Sequence, residues 1–136
     1  DFPVTQLLQS IPGVGPITSL AYACSVGDAK RFTSSRTVGA YFGLQPRQDE
    51  SGDSAPELRI TKAGDGLVRK LLVQAAHCLL HRGPDCALKR WGLALAGRGR
   101  KNAKKRAVIA TARKLAVIMH RMWTTGETFR LEEEGR

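Results

Sequence analysis

The stretch from Leu67 to Leu80 constrains the fold more than any other. Leu67, Val68, Leu71, Leu72, Ala75, Ala76, Leu79 and Leu80 recur in pairs four apart, which lays a wide apolar face along one helix. A face that broad has to be covered by other helices, so this segment is expected to be the central core helix. Asp65, just ahead of it, has the side chain of an N-cap. A second long helix is expected from about Asn102 to Thr125, with Val108, Ala112, Leu115, Met119 and Met122 as its seam and Ile109, Ala116 and Trp123 alongside. Shorter helical patterns run through Val4, Leu7, Leu8 and Ile11, through Ile17, Leu20, Ala21, Cys24 and Val26, and through Asp85 to Ala96 with Leu88, Trp91, Leu93 and Leu95. Ser34 and Ser35 suit the cap of a short helix in which Val38, Tyr41 and Phe42 face inward, with Gly43 as a left-handed stop. No sustained period-two pattern marks a sheet. The expected architecture is all-α: a small helical domain with a hairpin pair, a short helix, a long central loop and a C-terminal group of three longer helices.

Charge narrows the function. The 136 residues carry 22 Lys+Arg against 12 Asp+Glu, a formal net charge of +10. Such an excess attracts polyanions, of which nucleic acid is the commonest. No apolar run approaches the roughly 20 residues of a spanning helix, and no signal peptide opens the chain, so no membrane partner is expected and the protein should be soluble and cytoplasmic. Cys24, Cys78 and Cys86 are too few and too odd a set for a disulfide framework. They are read as reduced thiols. The chain opens on Asp1 in mid-pattern, which suggests a piece of a longer protein.

Two features point to phosphate. In Ile11-Pro12-Gly13-Val14-Gly15-Pro16 the glycines suit a tight turn, Pro16 fits the first position of the next helix, and the pair of short helices resembles a helix-hairpin-helix. Gly13 and Gly15 can bring backbone N–H groups against a phosphate, to which the following helix adds its positive end. The other feature is the start of the last helix, where Lys101, Lys104, Lys105 and Arg106 follow Arg98 and Arg100. Cations at a helix N-terminus are unfavourable by a few tenths of a kcal/mol each, which a bound phosphate backbone would offset. A plain helical turn and a solvated basic face are the simpler readings of the two. His77, Cys78, His81 and Cys86 match no zinc spacing well, so no metal site is expected there, and partly buried His and Cys are the simpler reading.

Between residues 44 and 65 lies a loop of unusual length for a compact domain, with little to bury except Leu58 and Ile60. Ser51 sits in its middle, followed by Gly52, which lets another chain approach closely. Arg47, Arg59 and Lys62, with Arg69 beyond them, surround that hydroxyl in sequence. A hydroxyl ringed by cations is what attack on a phosphate needs, while a solvated linker is the plainer alternative. Asp49, Glu50, Asp53 and Glu57 make the same neighbourhood acidic, and Ser54 offers a second hydroxyl.

Taken in order, Ile11-Pro12-Gly13-Val14-Gly15-Pro16, Gly27-Asp28 with Arg31-Phe32, Ala40-Tyr41-Phe42-Gly43-Leu44 with Pro46-Arg47, Ser51-Gly52, Ile60 to Asp65 and Arg69 to Ala76 resemble one transposase domain. It is the C-terminal serine-bearing domain of bacterial insertion-sequence transposases and pilin-gene invertases, a family that includes the bridge-RNA-guided recombinases. The resemblance runs from Leu7 to about Thr125. It implies a hairpin at about 4–27, a catalytic-serine loop at 44–65, a helical core at 66–125 and a tail at 126–136. It implies that Ser51, in its Ser51-Gly52 pair, is a nucleophile that attacks a DNA phosphodiester and holds the strand as phosphoserine. Arg47, Arg59, Lys62 and Arg69 are assigned to the phosphoryl transition state from charge and proximity. An N-terminal RNase-H-like DEDD domain carrying divalent metal such as Mg²⁺, a DNA substrate, a guide RNA in guided members and a homo-oligomer are the implied partners; no cofactor is expected on this domain itself. The alternatives are a non-catalytic helix-hairpin-helix module that tethers a larger enzyme to DNA or RNA, and a helical assembly domain.

Overall fold

Residues 3–44, 65–98 and 101–132 are described by the structure, a computed structural model. They form α1 (Val4–Leu8), α2 (Pro16–Val26), a 3-10 turn at Ala29–Arg31, α3 (Thr37–Tyr41), α4 (Gly66–Arg82), α5 (Ala87–Ala96) and α6 (Ala103–Thr125). Among the described residues there is no strand, and the expected all-α class holds. The two long helices α4 and α6 pack on each other, α5 lies chiefly against α6, and α1, α2 and α3 close the remaining sides.

Local chemistry explains where α4 starts. The Asp65 carboxylate accepts hydrogen bonds from the N–H groups of Leu67 at 3.0 Å and Val68 at 3.2 Å. A cap of this kind is worth about 1 kcal/mol. From there Val68, Leu72, Ala75, Ala76, Leu79 and Leu80 are buried, while Leu67 stands exposed on the first turn. The opposing seam on α6 is Ala112, Leu115, Ala116, Met119 and Met122. Burying one leucine of this core rather than truncating it to alanine is worth about 2–5 kcal/mol.

Polar side chains fix how the outer helices dock. Tyr22 is fully buried, and its hydroxyl donates to the Ala116 carbonyl of α6 at 2.7 Å. Burial pushes that hydroxyl's pKa far above its ordinary value. His120 of α6 is also buried, with Nε2 at 2.8 Å from the Ala29 carbonyl and Nδ1 at 2.7 Å from Ser35 Oγ. A carbonyl only accepts, so Nε2 carries the hydrogen, and in the neutral ring Nδ1 accepts from Ser35. One imidazole thereby ties both the 3-10 turn and the approach to α3 onto α6.

Four local expectations are corrected. The inward face of α2 is Ser19, Tyr22 and Val26, whereas Ile17 and Leu20 are 73% and 57% exposed and Cys24 is exposed. Tyr22 turns inward to its partner on α6, and Ser19 is satisfied within α2 itself, its Oγ donating to the Pro16 carbonyl at 3.0 Å. On α5 the buried residues are Ala87, Leu88 and Gly92, and Leu93 faces out. A Cβ at Gly92 would lie 2.6 Å from Leu80 Cδ2 and 2.7 Å from Thr111 Oγ1, so this glycine lets α5 settle against both long helices. Ser34 makes a turn, its Oγ accepting from the Arg36 N–H at 3.2 Å, while Ser35 is committed to His120; neither caps α3 directly. His77 and His81 are exposed, not partly buried, with their rings stacked 4.1 Å apart.

The chain past α6 folds back. Gly126 stops the helix in a left-handed conformation, the Phe129 N–H then donates to Ser10 Oγ at 2.9 Å, and the Ala87 N–H donates to the Leu131 carbonyl at 2.7 Å. Glu132 pairs with Arg90 at 2.7 Å, so the part of the acidic end that is described is held rather than loose.

Candidate functional site

The turn between α1 and α2 owes its glycine to packing. Gly13 has φ +94°, a left-handed backbone that other residues rarely adopt, and a Cβ there would approach the Ala75 carbonyl of α4 to 2.9 Å. Ile11 and Val14, either side of it, are buried. The close approach that Gly13 permits is therefore toward α4. Gly15 is different: it precedes Pro16 at the start of α2, no side chain caps that end, and nothing lies within 4 Å of where its Cβ would be. Gly13 is exposed and Gly15 half-buried, so both glycines expected to meet phosphate reach the surface, and only Gly15 has room for a side chain.

At the start of α6 the structure keeps the expected cations together on the surface. Lys101, Lys104, Lys105 and Arg106 are all exposed, as is Arg98. Asn102 enters the helix from a left-handed conformation, φ 65°, and supplies no side-chain cap. The positive end of a 23-residue helix and a cluster of lysines thus point to the same solvent. This is an electrostatic footprint suited to a polyphosphate backbone.

The segment expected to carry the nucleophile is bounded by Leu44 and Asp65. Arg47, Ser51, Gly52, Arg59 and Lys62 lie outside the described residues. Its upstream end is built tightly: Val38, Phe42 and Leu44 are buried, and Gly43 takes φ +74° as the expected left-handed stop. Two arginines from different helices reach that end. Arg69, on the first turns of α4, donates from Nη1 to the Phe42 carbonyl at 3.3 Å. Arg113, from the middle of α6, donates from Nη1 to the Leu44 carbonyl at 2.9 Å. Burial lowers the pKa of the Arg113 guanidinium from its ordinary value, since the charged form loses solvent.

Arg113 was not among the residues singled out from the sequence, yet a signal was there. Its helical neighbours three and four positions away, Ile109, Ala110, Ala116 and Val117, are all apolar, so this arginine stands on an inward stripe. Among the described residues no three His, Cys, Asp or Glu side chains converge in a way that could hold a metal ion.

Comparison with known proteins decides the family. Residues 5–91 match the transposase IS116/IS110/IS902 family, a span that includes Ser51 and the elements on both sides of it. The chain belongs to this transposase family. It is 41% identical over 127 residues to the transposase for insertion sequence element IS1111A of Coxiella burnetii, covering 92% of this chain and 34% of that protein. It is 43% identical over 82 residues to the transposase for insertion sequence element IS1328 of Yersinia enterocolitica, covering 60% of this chain and 25% of that one. A pilin gene-inverting protein of Moraxella bovis is 30% identical over 115 residues, covering 84% of this chain and 35% of that protein. The chain thus spans about a third of the length of the first of these transposases. In this chain the segment between Leu44 and Asp65 is framed by α3 and α4, with α6 supplying a further cation at its upstream end. No described helix is long and apolar enough to cross a membrane.

Proposed function

We propose that this chain is the serine-bearing strand-transfer domain of a DNA transposase or site-specific recombinase. The observation that carries the reading is the family match across residues 5–91, which spans the Ser51-Gly52 pair and the elements on both sides of it. In the proposed step the Ser51 hydroxyl oxygen attacks a DNA phosphorus. A bond from Oγ to phosphorus forms, the bond from phosphorus to one sugar oxygen breaks, and the serine proton ends on the departing sugar hydroxyl. The phosphoserine keeps the bond energy, so a sugar hydroxyl of a second strand can reverse the step and rejoin DNA without an external energy source. Arg47, Arg59 and Lys62, with Arg69, would meet the charge that develops on the phosphoryl oxygens. Gly15 at the start of α2 and the Lys101, Lys104, Lys105 and Arg106 cluster would hold the nucleic-acid backbone, a contact that positions the strand without reading its sequence. An N-terminal RNase-H-like domain of the same protein would supply the divalent metal, and DNA, a guide RNA and sister copies would be the partners. Cytoplasmic DNA is the proposed setting.

The test uses the full-length protein with Mg²⁺, any required RNA and a nicked DNA substrate that traps the intermediate, resolved on a denaturing gel. A covalent protein–DNA band that is lost in Ser51→Ala and kept in Ser54→Ala is the expected result. A band that persists without Ser51, or cleavage with no adduct, would replace this reading with a helix-hairpin-helix module that only tethers the enzyme to nucleic acid.

A further inference from the structure

Arginines cap carbonyls at two places in this fold, and the two places are not equivalent. Arg31 reaches the Val26 carbonyl at the end of α2 at 2.7 Å, and its guanidinium lies 5.2 Å from the Tyr41 ring centre and 5.5 Å from that of Phe32. Arg31 is exposed, so its charge keeps its water, and a cation at a helix C-terminus is mildly favourable. That is an ordinary structural cap.

The Leu44 end departs from this in three respects. Helix α3 is only five residues long, so it has little dipole to offset. Two guanidiniums, from α4 and α6, serve carbonyls two residues apart where a single neutral amide or hydroxyl would satisfy each. Most informative is Arg113, half-buried with its charge partly stripped of water. The ion pairs among the described residues join Arg90 to Asp85 and Glu132, and Arg130 to Glu127; none involves Arg113. Its hydrogen bond to Leu44 uses one of five N–H donors. None of its nitrogens is buried without a partner, so the other donors reach solvent, where a charged oxygen acceptor makes a stronger bond than water or a neutral carbonyl.

We infer that Arg113, beside Arg69, forms a binding site for a DNA backbone phosphate at the Leu44 end of the serine-bearing segment. Arg113 contributes a fixed positive charge from the rigid core helix α6, independent of the cations carried by the segment itself. The planar guanidinium offers paired donors to phosphate oxygens while one Nη1 hydrogen stays on the Leu44 carbonyl. The site deepens the strand-transfer reading, on which it rests for its role, because it places a phosphate beside the entry to the segment that holds Ser51. As a binding site it is testable without any chemistry.

Arg113→Gln keeps an amide donor for Leu44 and removes the charge, while Arg113→Lys keeps the charge and gives up the fork. Both are made in the full-length protein, with Arg31→Gln as the control for loss of a structural cap, and thermal melting confirms that each folds. Binding of a short mixed-sequence DNA duplex is measured across a salt series. Loss of one phosphate contact should lower the slope of log affinity against log salt by about 0.9 in Arg113→Gln, with Arg113→Lys and Arg31→Gln near wild type. An unchanged slope in a folded Arg113→Gln protein would overturn the site and leave Arg113 a carbonyl cap. The gel assay then separates the two readings. A wild-type protein without a Ser51-dependent adduct sinks the nucleophile while the salt slopes still decide the site; a normal wild-type adduct formed at full rate by Arg113→Gln sinks the site alone.

Discussion

The turn before α2 and the start of α6 are both candidate grips on a phosphate backbone, and they are built on opposite principles. The turn carries no charge of its own and takes its shape from packing: Gly13 is pressed against the α4 backbone and flanked by buried Ile11 and Val14. The start of α6 is all charge, with exposed Lys101, Lys104, Lys105 and Arg106 around an uncapped end. Rigid backbone geometry comes from contacts that also hold the fold, so changing it disturbs stability. Surface charge is nearly independent of the fold, so changing it should disturb binding alone.

That contrast is broken most severely at Gly13. Alanine there must adopt φ near +94° and drive a methyl group into the Ala75 carbonyl, which neither the helix nor the turn can yield cheaply. A loss of about 3 kcal/mol is expected, seen as a drop of roughly 10 °C in thermal midpoint. Unchanged melting would mean that the turn is looser than its geometry implies. Replacing Lys101, Lys104, Lys105 and Arg106 together with glutamine is the next largest change, and it should act on binding. Affinity for a DNA duplex at low salt is expected to fall roughly a hundredfold, with the salt slope reduced by about 0.9 for each phosphate contact removed. The melting temperature should hold or rise slightly, since each cation removed relieves about 0.3–1 kcal/mol of repulsion at the helix's positive end. A fall in stability would show instead that these side chains support the core. Gly15→Ala sharpens the comparison with the smallest effect. Its φ of −100° suits alanine and its surroundings are open, so stability should stay within about 0.5 kcal/mol. A several-fold loss of duplex affinity on this background would mark Gly15 as the point where backbone N–H groups meet phosphate, and wild-type affinity would remove the turn from the interface.

Much of this fold was legible because its signals are local or periodic. Asp65 capped α4 as its position suggested, the paired leucines and alanines of α4 are buried except Leu67 and Leu71, and the α6 seam lies where the spacing put it. What escaped was polarity facing the wrong way. A hydropathy pattern turns Tyr22 and His120 outward, yet each is drawn inward by a carbonyl partner supplied by a distant segment. The same pattern gives Gly92 no weight, although its lack of a side chain is what brings α5 close to Leu80 and Thr111. Of the candidate site, the basic start of α6 and the turn were readable from composition and spacing. Arg113 was not, because its significance depends on meeting Leu44, 69 positions away. Ser51 and its neighbouring cations fall outside the described residues; Ser51 rests on the family resemblance and the cations on charge and proximity alone.

The bond between Phe129 and Ser10 gives the domain a mechanical property. Because the stretch after α6 returns to the stretch after α1 and is also bonded to α5, tension applied through the two flanks would load the Phe129–Ser10 bond together with the Leu131 and Glu132 contacts to Ala87 and Arg90.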